Sequence, residues 1–122
     1  CGQGAMGQGL EKYGEVLGFV KDVTPYIKKA DIVFASSYLS MLEALQLGTP
    51  VFATYTNPLK HDYLRDSPFE KYITISDIAS DFAKKVARFT PNLQKLQDGA
   101  RWANTQTWQS LTDMYLDLWS KK

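Results

Sequence analysis

"DIVFASSYLSMLEALQLGTPVFATY", residues 31–55, decides how the chain is to be read. Ile32–Ala35 is an apolar run of strand length, the pattern of a strand covered on both faces. Leu39–Leu47 sets Leu39, Leu42, Leu45 and Leu47 among good helix formers, and Gly48 stands where a helix-ending glycine belongs. Pro50 then opens a second apolar strand, VFATY. Strand, helix, strand is the unit of a parallel sheet, because parallel neighbours need a crossover. Glu43 is the only acid in the helical part, one turn inside its start and soon after a buried strand. Ser36, Ser37 and Tyr38 come just before that start.

The flanks continue the alternation. Glu15–Val20 reads as a short strand, and Thr24-Pro25 as cap and first-turn proline of a brief helix ending at Asp31. Asn57–Ser67, with Pro58 inside it and Pro68 after it, reads as loop. Tyr72–Ile75 reads as a β-branched strand. Ser76 is expected to cap a helix with Ile78, Phe82, Val86 and Phe89 on its apolar face. Thr90-Pro91 repeats the cap-and-proline signal and starts a helix to about Ala103, weakened at Gly99 by roughly 1 kcal/mol relative to alanine. Thr107 is placed to cap the last helix, whose stripe is Trp108, Leu111, Met114/Tyr115 and Leu118/Trp119. That stripe reads as packing surface rather than as a carbohydrate platform. Together these segments predict an α/β domain: a parallel sheet with flanking helices and right-handed crossovers, one domain over 1–122, helical from about 76 to 122.

Composition narrows the function. The chain has 122 residues, 44% hydrophobic and 22% charged, enough for one real core. A net charge of +1 gives no field for a nucleic-acid backbone, and Lys28-Lys29, Lys84-Lys85 and Lys121-Lys122 are isolated pairs. Cys1 is the single cysteine and His61 the single histidine, so neither a disulfide nor a Cys- or His-based metal site is expected. No leader and no run of about 18 apolar residues is present, which reads as a cytoplasmic protein. The start at CGQGAMGQGL, without methionine, reads as a piece of a longer chain cut just after a strand. Gly2-Gln3-Gly4 and Gly7-Gln8-Gly9 lack the Gly-x-Gly-x-x-Gly spacing and read as turn formers at a strand end.

Ligands of open α/β sheets bind beyond the carboxyl ends of the strands, at helix N-termini. The free N–H groups and dipole of the helix starting near Leu39–Ser40 suit phosphate oxygens. Glu43, three to four residues on, points back along the same face and can accept two hydrogen bonds from a vicinal diol such as ribose. The plainer reading is a helix-start acid favoured by the dipole, with Ser36 or Ser37 as cap. Spacing alone leaves both open.

At this point the residues resemble a known family. The order of strand, Ser, helix with Glu43-Ala44, then Gly48-Thr49-Pro50-Val51, is similar to the nucleotide-sugar-binding half of GT-B glycosyltransferases, group 1 (family 4) type. CGQG looks like the glycine-ended second strand of that half, VLGFVKDVTPYIKKADI like its next strand, turn and short helix, and ARWANTQTWQSLTDMYLDLW like its closing helices. The resemblance implies a Rossmann-like C-terminal half-domain lacking its first strand and helix. It implies transfer of a sugar from a UDP-, GDP- or ADP-sugar to a lipid-linked or polysaccharide acceptor, with no further cofactor and no metal. Glu43 would bind the ribose hydroxyls. The N–H groups of Leu39, Ser40 and Met41 would face the diphosphate, with Ser37 and Tyr38 in the preceding turn, and Phe19 and Val20 would flank the nucleobase. Lys60 and His61 are candidate sugar or phosphate contacts, Lys60 supplying positive charge; the plainer reading of His61 is a solvated loop histidine. The partners implied are the donor, the acceptor and an N-terminal acceptor-binding domain, with no nucleic acid; the place implied is the cytoplasm, peripheral at the inner membrane face.

Three departures shape the expectation. The second glutamate that the family often places before the ribose one is Ala35 here. Ser40-Met41-Leu42-Glu43 fits inverting lipid-linked N-acetylglucosamine transferases as well, so the stereochemical outcome stays open. The Gly-Gly usual after the Pro-Val strand is Asn57-Pro58. The family's diphosphate-neutralising arginine and lysine would lie upstream of Cys1, so the fragment alone is expected to be inactive. In the family the last helix crosses back to the N-terminal domain, so its stripe is expected to be partly exposed in this chain. Two alternatives remain: a nucleotide-sugar epimerase of the same architecture, which usually carries more histidines, and a non-catalytic interaction module. Asp62 with Asp66 and Asp77 with Asp81 read as a solvated face rather than as acid pairs.

Overall fold

The structure is a computed structural model, and it describes residues 9–121. The readings of CGQG and of Gly2, Gly4 and Gly7 fall outside those residues. The helices are α1 (Thr24–Lys29), α2 (Tyr38–Gln46), α3 (Pro58–Arg65), α4 (Ala79–Ala87), α5 (Leu93–Thr105) and α6 (Trp108–Ser120). The strands are β1 (Val33–Phe34), β2 (Val51–Ala53) and β3 (Thr74–Ile75), all parallel, in the order β1-β2-β3. Phe34 pairs with Phe52 and Phe52 with Thr74, while Val33 pairs with Val51 and Ala53 with Ile75. This is a Rossmann-like α/β arrangement.

Because side chains alternate across a strand, the register sorts them onto two faces of different chemistry. Val51, Ala53 and Ile75 join Met41, Ala44 and Leu45 of α2, Leu64 of α3 and Ala103 of α5 in one core. On the other face Phe52 meets Phe34, Phe82 and Phe89 with ring centroids 5.1–6.1 Å apart. Phe82 therefore does line the inner side of α4, with Val86 half-buried, but Phe89 packs on Phe52 from beyond the helix end and Ile78 is exposed. Helix α5 comes close because Gly99 has no side chain: a Cβ there would lie 3.3 Å from Leu45 Cδ2 and from Tyr72 Cβ and Cγ. Gln46 Nε2 donates to the Ala103 carbonyl at 3.2 Å across the same contact.

Local rules explain most boundaries. Ser37, Asn57, Asn92 and Thr107 each accept from the backbone N–H three residues on, the N-cap geometry. Gly48 adopts φ +72°, and the N–H groups of Gly48 and Thr49 donate to Leu45 and Ala44 carbonyls at 2.9 and 3.0 Å, closing α2. Several expectations need correcting. Residues 15–20 join no ladder, so the strand read at Glu15–Val20 is absent. Residues 58–65, read as loop, form α3, because Asn57-Pro58 is itself a cap followed by a first-turn proline. Tyr72 belongs to a 3-10 turn, Glu70–Tyr72, which shortens β3. Thr24 is inside α1, its N–H bonded to Asp22 Oδ1 at 2.9 Å, and the Thr24 hydroxyl first, with that N–H second, holds the Asp22 carboxyl below its ordinary value. Asn92, not Thr90, caps α5.

Ser76 is the most instructive of these. It is buried and lies two residues before the Ile78 cap, with its hydroxyl donating to Asp81 Oδ2 at 2.6 Å. Lys85 pairs with the same carboxylate at 2.8 Å. The Lys85 and Ser76 bonds, in that order, hold the Asp81 carboxyl below its ordinary value. Lys85 Nζ also donates to the Ile75 carbonyl at 3.1 Å, and Lys95 Nζ to the Ile73 carbonyl at 3.2 Å. Since β3 is the outer strand, both ammonium groups occupy its free side.

Helix α6 differs from the rest, for every one of its residues is exposed. Trp108 is 78% exposed and Trp119 71%, and Tyr115 touches Trp119 with ring centroids 5.9 Å apart. The stripe read as packing surface is thus uncovered along its length.

Candidate functional site at the strand ends

Three segments leave the carboxyl ends of the sheet: Ser36-Ser37 after β1, Tyr55–Asn57 beyond β2, and Ser76-Asp77 after β3. Helices α2 and α3 begin beside them. Ser37 Oγ caps α2 by accepting from Ser40 N at 3.3 Å and lies 2.7 Å from Ser40 Oγ. Met41 N donates to the Ser37 carbonyl at 3.1 Å. The donor set expected at Leu39, Ser40 and Met41 therefore shifts toward the helix start: the N–H groups of Ser40 and Met41 are engaged, and those of Tyr38 and Leu39 are the ones with no acceptor among the described residues. The shift follows from helix geometry, because the cap carbonyl takes the fourth N–H.

Glu43 is exposed, and its carboxylate has no hydrogen bond or ion pair among the described residues. As the sixth residue of α2 it lies beyond the first turn, where the dipole effect has faded, so the helix-start reading does not account for it. At about 100° per residue it faces nearly opposite the buried stripe of Met41, Ala44 and Leu45. Ser40 and Leu39, three and four residues back, share its side of the helix.

Helix α3 brings charge to the same place. The Lys60 ammonium donates to the Ser36 carbonyl and stands 4.6 Å over the Tyr63 ring. Tyr63 and Tyr38 both rest on Phe69, at 6.0 and 5.7 Å between centroids, and burial, with Tyr38 adding, pushes the Tyr63 phenol up. His61 Nδ1 is 2.9 Å from Asp62 Oδ1, and its ring meets Tyr55 edge-on at 4.9 Å.

Two hollows flank this surface. One, of about 490 Å³, is lined by Tyr55, Thr56, Asn57, Pro58, His61 and Asp77. The other, of about 260 Å³, lies between α2 and α6 and includes Tyr38, Leu39, Leu42, Trp108, Leu111 and Met114. Glu43 lines neither. Phe19 is 82% exposed in the extended segment before α1, and neither it nor Val20 has a side-chain hydrogen bond or ring contact with α2 among the described residues. The structure thus brings Ser37, Tyr38, Leu39, Ser40 and Lys60 together, sets Glu43 one turn away and leaves Phe19 and Val20 apart. Tyr55 lines the first hollow beside His61, and Asp77, read as part of a solvated face, is exposed there. Each stands two residues beyond a strand end.

Comparison with known families decides what this surface belongs to. The family model described as glycosyl transferases group 1 matches residues 3–92. The chain belongs to that family. This group 1 glycosyltransferase domain has its sheet, α2, α3 and α4 inside the matched span, whereas α5 and α6 follow it. Neither the curated proteins nor the solved structures gave a match. In this glycosyltransferase no helix among the described residues is long and apolar enough to cross a membrane, and no group of three His, Cys, Asp or Glu is arranged to hold a metal.

Proposed function

We propose that this chain is the donor-binding half of a two-domain glycosyltransferase that moves a sugar from a nucleoside diphosphate sugar to a lipid-linked or polysaccharide acceptor. The observation that carries the proposal is the start of α2: two N–H groups without acceptors among the described residues, the Lys60 ammonium at the adjoining Ser36 carbonyl, and, one turn on, a carboxylate with no partner among those residues. Amides and ammonium suit the diphosphate, and Glu43 suits the ribose hydroxyls. Their contribution to the reaction is electrostatic: charge builds on the departing diphosphate, and fixed donors stabilise it without reorganising. The acceptor and the groups that act on it come from an N-terminal domain closing over the donor and excluding water. The setting is the cytoplasm, at the inner membrane face, where a lipid-linked acceptor is presented.

Titration with UDP, GDP and ADP followed by amide shifts tests this. One nucleotide should move the Tyr38 and Leu39 resonances at millimolar concentration. Glu43→Ala should weaken it about tenfold or more, the scale of hydrogen bonds to a charged group. Absence of any shift with all three nucleotides counts against the reading.

A further inference from the structure

The outer side of β3 gathers positive charge that the sequence scatters. Three hollows adjoin one another there. The first lies against α4 and is lined by Lys84, Lys85 and Arg88; the second, on the α5 side, shares Thr74, Phe89 and Thr90 with it and adds Lys95. The third shares Tyr72 with the second and adds Lys71 and Arg101. The acids in the three linings are Asp81 and Asp98, and both are engaged, Asp81 by Lys85 at 2.8 Å and Asp98 by Arg101 at 2.7 Å. Lys71, Lys84, Arg88 and Lys95 have no acid partner among the described residues, and all but Lys95 are exposed. Six cations against two acids give this band a net charge of +4 on a chain whose total is +1, so the remainder of the molecule is net negative.

Which anion suits the band follows from what surrounds the charge. The first and third hollows are wide and shallow, so no wall closes on a single small anion. Phe89 packs on Phe52, and Trp102 on Phe69 and Tyr72, so these rings are half-buried and none stands out for a base to stack on. No exposed large apolar side chain lines the band to form the dry centre of a protein contact, and four of its six cations are lysine, which protein interfaces avoid. An anionic bilayer needs neither rings nor a dry centre. It presents many phosphates together and attracts ammonium groups that stay hydrated, each worth about fivefold in partition. We infer that the β3 side, from Lys84 and Arg88 across Lys95 to Lys71, is the face by which the protein adsorbs to an anionic membrane. The inference rests on the membrane-face setting of the donor-binding reading, and it supplies the surface that this setting needs.

Sedimentation of the whole chain with vesicles tests this. Vesicles of equal parts phosphatidylglycerol and phosphatidylcholine should carry it down at low salt, and phosphatidylcholine alone should not. Salt at about 1 M, where the screening length is about 3 Å, should release it. Lys84→Gln with Arg88→Gln removes two exposed charges that have no acid partner among the described residues, and should lower the partition about twenty-five-fold. Lys28→Gln with Lys29→Gln removes the same charge from positions that line none of the three hollows, and should change it about twofold or less. Equal losses in the two pairs would assign adsorption to overall charge, and equal binding to neutral vesicles would assign it to the apolar stripe of α6; either result overturns the inference. Tighter binding to polyglutamate than to vesicles of the same charge overturns it in favour of an acidic protein. Release by inorganic phosphate at an ionic strength where chloride has no effect overturns it in favour of a single-anion site. Absence of binding to the anionic vesicles at low salt overturns it outright. The donor-binding reading is followed separately by the Tyr38 and Leu39 shifts with nucleotide, so either can fail while the other holds.

Discussion

Helices α5 and α6 are both thirteen residues long, both amphipathic, and both start on a side-chain cap that accepts from the third residue on. Only one of them belongs to the core. Helix α5 buries Ala103 and sets Gly99 against Leu45 and Tyr72, and Gln46 and Lys95 fasten it to α2 and to Ile73 just before β3. Helix α6 buries nothing, although its stripe carries the heavier side chains. Amphipathicity therefore states that a helix has an apolar side, while the small residues state where another backbone comes close. The glycine that lowers helix propensity in α5 is the one that lets α2 approach.

This contrast is open to direct attack, beginning with Gly99. Gly99→Leu forces a branched side chain into atoms 3.3 Å from its Cβ, and a loss of about 1–3 kcal/mol is expected from overpacking. Thermal unfolding should shift down by several degrees; an unchanged midpoint would mean that α5 moves as freely as α6. Asn92→Ala, which removes the α5 cap, should cost about 1 kcal/mol in a urea midpoint. Thr107→Ala removes the equivalent cap from α6 and should speed amide exchange within α6 while leaving the global midpoint in place.

Acid supplies a third, smaller test. The Asp81 carboxyl is held below its ordinary value, so the ionised form is the one that the folded state favours. Its contribution is complete above the unfolded carboxylate value near 3.8 and is lost as pH falls through the lower folded one. In urea unfolding between pH 6 and 3, Asp81→Asn should show a shallower acid loss than the parent chain. The smallest effect is expected from Trp119→Ser on α6, within about 0.5 kcal/mol of no change in stability. A larger loss there would show that the stripe is covered in solution.

Residues 31–55 were readable because several local rules agree there: an apolar strand, a capped helix, a closing glycine and a second strand. The α3 helix was missed although Asn57-Pro58 carries the signal recognised at Thr24 and Thr90; its low apolar content made loop the easier reading. In turn Thr24 and Thr90 were credited with caps that Asp22 and Asn92 influence or supply, since a cap depends on φ, ψ and reach rather than on residue type. At the start of α2, the Ser37 cap was legible from strand-to-helix order. The displacement of the donor set toward the helix start was not, because it depends on which residue begins the helical turn. The engagement of Asp81 by Ser76 and Lys85 was not legible either, because it depends on how β3 leads into α4. Glu15–Val20 has a strand's composition, but ladder membership requires a neighbour in register, and composition says nothing of that.

The two ammonium groups along the outside of β3 have a consequence for how copies of this molecule meet. An extended segment from elsewhere, arriving to lengthen the sheet, would need the Ile73 and Ile75 oxygens for its own amides and would find Lys95 and Lys85 already there. Crowded molecules can therefore collide at this border without templating one another. Keeping the border closed calls for nothing beyond two flexible arms reaching down from helices that the core already holds.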